Sequence, residues 1–317
     1  MKSLCIITDT MTTQLSLRDN LNPSDQSRVK PLLLSAKGQT LAKSLLSLAL
    51  LSLLTACSSS PVAVKKSDNV ATPLPDSSKR TYDPHEAAKI RTAIAGQYIR
   101  ERKLDNAQRE LQRALESDAR YAPAYDMMGV LLQQEGSLSN LQKAQGFFKK
   151  AISLDPEFTQ AHNNYGVYLS QMKQYNAAMQ EFEIAGSTLG YEGRGRALEN
   201  LGSVALKLNQ PEKALQAFTK ALDVNDQSLI ARMELVDYYL KKGNYTLAQK
   251  YYGELVALMG DNPLGARVTL QGIKLAKIYG YTQDQQRLTQ KLFDNYPASD
   301  EAKQMKVWLA NPATVWQ

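Results

Sequence analysis

The chain has 317 residues, 43% of them hydrophobic, and a formal net charge of +7. The first 57 residues carry six Lys/Arg against three Asp/Glu, which leaves about +4 for the rest; with no long basic run or Arg-rich stripe, no nucleic-acid partner is expected. Two cysteines (Cys5, Cys57) and two histidines (His85, His162) are too few for zinc clusters, Cys–His nucleophiles or His-based acid–base pairs. No cofactor, metal or small-molecule substrate is therefore expected, and the chain reads as a protein binder and not as an enzyme.

Residues 1–56 read as an N-terminal extension followed by an export signal. Arg28, Lys30, Lys37 and Lys43 lead into an apolar run from Leu45 to Leu54, the length of a signal-peptide core and too short to cross a bilayer as a helix. The run ends in Leu54-Thr55-Ala56-Cys57, which resembles the lipobox of bacterial lipoproteins. That resemblance implies lipidation of the Cys57 thiol, cleavage before it, and a mature chain anchored in the membrane by its acyl chains. Ser58 stands where an Asp would mark inner-membrane retention, so the resemblance implies the outer membrane, facing the periplasm. Residues 1–27 are polar and carry Asp9, Asp19 and Asp25. We expect translation to start downstream of them, near Val29; peptides from 1–27 in the unprocessed protein would contradict this.

Residues 57–82 hold the lipidated cysteine and a stretch rich in Ser, Pro, Lys and Asp, read as a flexible tether. From Asp83 the composition turns to Ala, Leu, Tyr, Gln and Lys, and the sequence repeats with a period near 34, that of the tetratricopeptide repeat. Each copy predicts helix A, with a bulky–Gly pair, then helix B, with Ala, an aromatic and Ala. Met128-Gly129 pairs with Phe148, Tyr165-Gly166 with Phe182, and Leu201-Gly202 with Phe218. The copy from Ala122 needs about three extra residues, expected in the turn around Gly136-Ser137-Leu138-Ser139. Degenerate copies begin near Ala88, with Ile94 in the bulky position, near Leu229, with Tyr252 as the aromatic, and near Ala266. Gly129, Phe148, Gly166, Phe182, Gly202, Phe218 and Tyr252 are therefore repeat core. The fold expected over 83–310 is an all-α superhelical solenoid of about six helix–turn–helix repeats. A C-terminal helix from Asp300 to Ala310 closes it, with Met305, Trp308 and Leu309 covering the open end, and 311–317 form a tail.

Three stretches extend the match beyond the repeat itself: NNYGVYL at 163–169, RALENLG at 196–202 and GIKLAKIY at 272–279. With the lipobox and the repeat number, they resemble the type IV pilus biogenesis and stability lipoproteins of the PilF/PilW family over roughly residues 83–305. The resemblance implies a pilotin: an outer-membrane lipoprotein that binds the type IV pilus secretin subunit and promotes its localisation and multimerisation. The alternative is a general periplasmic scaffold lipoprotein, serving outer-membrane protein assembly or recruiting peptidoglycan hydrolases.

For a partner, the A helices offer Asn163, Asn164 and Asn200, the last two in the same slot of successive repeats. Their amides either pair with an extended partner backbone or bond locally between helices. Arg196 is placed as in carboxylate-clamp repeats, but Thr92, Gly96, Asp126 and Val130 occupy the other clamp slots, so an acidic C-terminal tail is not the expected ligand. Hydrophobic docking of a partner helix on the early repeats would use Ile99, Tyr121 and Tyr125.

Overall fold

The computed structural model describes residues 83–311; Cys57, the signal, the tether and residues 312–317 lie outside the described residues. Thirteen helices and no strand occur among the described residues. They form six antiparallel pairs: α1 (Pro84–Arg100) with α2 (Leu104–Ser117), α3 (Ala122–Glu135) with α4 (Leu138–Leu154), and α5 (Thr159–Gln171) with α6 (Tyr175–Ser187). Then come α7 (Arg194–Lys207) with α8 (Pro211–Val224), α9 (Leu229–Lys241) with α10 (Tyr245–Met259), and α11 (Ala266–Ile278) with α12 (Thr282–Asn295). A last helix, α13 (Asp300–Ala310), packs on α11 and α12. Each B helix also packs on the next A helix, which makes a solenoid.

Local chemistry sets the boundaries. Asp83 caps α1 by accepting the His85 N–H at 2.9 Å, with Pro84 preset for the first turn. Five of the six A–B turns place a left-handed residue two positions past the end of helix A: Arg102, Lys173, Asn209, Gly243 and Gly280. The turn after α3 differs. Gly136 (φ 75°) ends α3, Ser137 accepts the Asn140 N–H, and α4 starts at once at Leu138. The extra residues thus lengthen α4 to 17 residues instead of widening the turn. Leu138, 80% exposed, marks the protruding tip.

The core follows one size rule. In the middle repeats a glycine of helix A faces an aromatic of helix B. A Cβ added at Gly129 would stand 2.6 Å from the Phe148 ring, and one at Gly166 or Gly202 would stand 2.7 Å from Phe182 or Phe218. The ring then reaches the next repeat: Phe148 lies 5.9 Å from Tyr165 and 5.7 Å from Tyr168. The first repeat solves the same volume with Ala95 and Leu111, both fully buried. The fifth puts Val236 in the glycine position. Its aromatic, Tyr252, instead inserts its hydroxyl at Gly272 of the sixth repeat, beside the smaller Leu288. In α13, Ala302, Met305 and Trp308 are buried, whereas Leu309 is exposed. Leu309 is thus not part of the cap, because the i, i+3 face that docks ends at Trp308.

Candidate partner-binding surface

Successive A helices pack on one another except α7 and α9, where Glu199 instead bonds Ser228 at the start of α9, so residues in equivalent slots form rungs on the A-helix face. Three residues before the glycine slot stand Thr92, Asp126, Asn163, Glu199 and Thr269, with Met233 interrupting. The centre of this ladder is a network. Asn164 Nδ2 donates to Asp126 Oδ2 at 2.9 Å, Gln160 Nε2 donates to Asn164 Oδ1 at 2.8 Å, and the Tyr191 hydroxyl donates to Gln160 Oε1 at 2.9 Å. Asp126 is fully buried without a cation, and burial pushes its carboxyl up to about 7 despite the Asn164 amide. Burial, with the nearby Asp126 charge, pushes the Tyr191 phenol up to about 12. Asp126 Oδ1 and Asn163 Oδ1 are buried acceptors without a protein partner.

The asparagines therefore divide. Asn164 is committed to local bonds, and Asn163 is buried beside it. Asn200, half-buried in the same slot one repeat on, makes no such bond, and Arg196 one turn away is exposed. Below them Glu199 accepts from the Ser228 hydroxyl at 2.5 Å, and burial raises its carboxyl. Asn200 and Arg196 are the members of the expected set not committed to hydrogen bonds on this face, although the Arg196 charge lies near Glu199 and Tyr191.

At the N-terminal end the expected roles change places. Ile99 is 5% exposed and belongs to the core of the first two repeats, so it is not a docking contact. Tyr121 is half-buried with His85 edge-on at 5.0 Å. Tyr125 is half-buried, donates its hydroxyl to the Ala119 carbonyl at 3.1 Å and lies 6.3 Å from the Phe147 ring. Ile94, in the bulky position of the first copy, is 41% exposed. The cause is positional. In later repeats this bulky position (Met128, Tyr165, Leu201, Leu235) is buried, and Tyr165, for one, meets Phe148 and Gln145 of the preceding B helix. No preceding B helix covers α1 among the described residues, so Ile90 and Ile94 stay exposed, and Ala93, Ile94, Gln97, Tyr98 and Glu101 line a shallow groove. The signal was available in sequence: the first copy of a repeat lacks the neighbour that buries this position in the others.

A second polar site escaped the sequence reading. Between α9 and α11, Arg267 donates from both terminal nitrogens to Glu234 (2.6 and 2.8 Å) and from Nε to Asp237 (2.8 Å). Gln271 Nε2 donates to the Met233 carbonyl at 2.9 Å. Lys274, whose ammonium is disfavoured by burial, sits 5.2 Å over the Trp308 ring. The fifth and sixth repeats are thus joined by ions and amides beside the Tyr252 contact, where the middle repeats use phenylalanine rings.

Residues 147–180 and 199–263 each match the tetratricopeptide repeat family. Over 182 residues the chain is 32% identical to the type IV pilus assembly protein PilF of Pseudomonas aeruginosa, covering 57% of this chain and 70% of that protein. A solved structure from the functional characterisation of P. aeruginosa PilF superposes with TM-score 0.66 at 29% identity, over 71% of this chain and 99% of that one. A crystal structure of PilW, described as a widely conserved type IV pilus biogenesis factor, superposes with TM-score 0.58 at 25% identity, over 69% and 97%.

Proposed function

The chain belongs to the PilF family of type IV pilus biogenesis repeat proteins, and from that premise we propose that it is a pilotin. In this reading Cys57 is lipidated, the protein sits on the periplasmic side of the outer membrane, and the solenoid is an adaptor, without catalysis, for the pilus secretin subunit. The observation that carries the proposal is the open face of α1. A face that every later repeat covers with a B helix is left with Ile90 and Ile94 exposed. An amphipathic helix of the secretin, laying its apolar side on this groove, would stand where the missing B helix would be. Asn200 and Arg196 offer a second, polar contact on the A-helix face for an extended stretch of the same partner.

The test is a deletion strain in which secretin multimers are followed on unboiled gels and by membrane fractionation. Loss of the heat-resistant outer-membrane multimer, restored by the wild-type gene and only weakly by Cys57→Ala, is the expected result. An unchanged multimer in the deletion strain would overturn the pilotin role and favour a general envelope scaffold.

A further inference from the structure

The two long edges of the last three repeats differ in charge. The A–B turns of a solenoid fall on one edge, and the 2.9 Å ion pair between Lys242 and Glu212 joins the α7–α8 and α9–α10 turns there, with the α11–α12 turn next in the array. On this edge Lys207, Lys241, Lys242 and Lys277 are all exposed. Its two carboxylates already have partners, Glu212 on Lys242 and Asp284 on Arg287. On the opposite edge of the same repeats the turns carry Asp226 and Asp261, with Asp223 and Asp294 close by; the nearby Arg267 is bound to Glu234 and Asp237.

The basic edge is also studded with apolar groups. Leu206, Tyr245, Ile278, Tyr279 and Tyr281 are all exposed there. Tyr279 and Tyr281 stack at 5.8 Å, and Lys242 lies 5.6 Å over the Tyr238 ring. Tyrosines with wet hydroxyls, isolated aliphatic tips and lysines on long stems are the combination that suits a headgroup layer. An acidic protein partner would match the lysines but would leave these scattered tips without pockets.

We propose that this edge docks on an anionic phospholipid surface, the turns resting among headgroups and the lysines pairing with phosphates. It rests on the proposed lipid anchor only for its cellular setting. A chain of about 25 residues between Cys57 and Asp83 reaches at most about 85 Å, so the anchor leaves this edge free to meet the bilayer. Docking would hold the solenoid against the membrane and turn the acidic edge outward.

The test uses residues 58–317, which keep every described helix and core contact, so lipidation and the secretin play no part. Cosedimentation is compared between phosphatidylcholine vesicles with and without phosphatidylglycerol. Binding to the anionic vesicles alone is expected. At about fivefold in affinity per lysine, Lys207→Gln/Lys241→Gln should weaken it about 25-fold. The same loss of charge elsewhere, Lys220→Gln/Lys303→Gln, should change it little, and Ile278→Ser/Tyr281→Ser should weaken it several-fold. Absence of vesicle binding, equal binding to neutral vesicles, or equal effects of the two lysine pairs would overturn the proposal. None of these outcomes bears on the secretin test.

Discussion

The second to fourth repeats and the junction of the fifth with the sixth hold the same architecture by different means. In the middle, a glycine admits a phenylalanine and the ring seals the gap to the next repeat, so one continuous core runs from Leu132 to Leu235. At the junction Val236 fills the glycine position, and the hydroxyl end of Tyr252, not a phenyl ring, reaches Gly272 beside Leu288. Arg267, Glu234, Asp237 and Gln271 take over. Ring packing is insensitive to salt and tolerates no added volume. An ion network one-third open to water is screened by salt and can open locally. The solenoid is thus one stiff block carrying a more separable C-terminal unit.

The largest expected effect comes from the block. Phe182→Ala empties a fully packed ring site and should cost about 3–5 kcal/mol, read as a fall in the urea midpoint. Removing the junction's hub comes next. Arg267→Met should cost about 2 kcal/mol, less than the ~3–5 kcal/mol for a fully buried pair because the side chain is 37% exposed while Glu234 is 14% exposed. Hydrogen exchange should then quicken in α11–α13 while α5–α8 stay protected, and wild-type exchange in α11–α13 should quicken in high salt. Equal loss of protection along the whole chain would erase the distinction.

Two glycines sharpen it further. A Cβ at Gly272 would overlap Tyr252 and Leu288, so Gly272→Ala should destabilise by about 1–2 kcal/mol. Gly253, mid-helix in α10 with open space around it, should become about 0.5–1 kcal/mol more stable as Ala.

An effect of a different kind concerns pH within the block. Asp126 has its carboxyl raised from 3.8 to about 7, so the native state holds the proton that the unfolded state releases. Stability falls as pH rises from about 4 through about 7. His162 has the same sign. Its ring nitrogens face two acceptors, Glu181 at 2.6 Å and the Pro156 carbonyl at 2.9 Å, so the imidazolium is favoured and its pKa raised. Its contribution is complete below about 6.5 and is lost as pH passes its raised native value. Asp126→Asn should flatten the loss between pH 5 and 8 and raise stability at pH 8 by about 1 kcal/mol or more, leaving only the His162 part. An unchanged pH profile would mean that Asp126 is ionised and solvated.

What was legible in the sequence was whatever repeats. Gly129 with Phe148, Gly166 with Phe182 and Gly202 with Phe218 recur at fixed offsets, so helix pairing and core followed from the period. Features that depend on position along the array were not legible: Ile94 is exposed because no B helix covers α1 among the described residues, Ile99 is buried in the core of the first two repeats, and Ser137 turned a supposed loop insertion into an extra turn of α4. The Arg267 network was missed because its members lie 30 or more residues apart. Its trace was present even so. The position five before the glycine slot is Ala124, Ala161, Ala197 and Ala231 in four repeats and Arg267 in the sixth. For Asn164 the sequence left local and partner bonding open, and the local acceptor, Asp126, comes from the preceding repeat.

The central claim is that the uncovered face of α1 receives a helix of the secretin. Its most direct test is the secretin multimer in a strain whose only copy of this gene carries Ile90→Asp/Ile94→Asp. Both side chains are exposed, so the protein should fold and accumulate as wild type. The account predicts loss of the heat-resistant multimer with the altered protein present at normal level in the membrane fraction. A normal amount of multimer in that strain would contradict it.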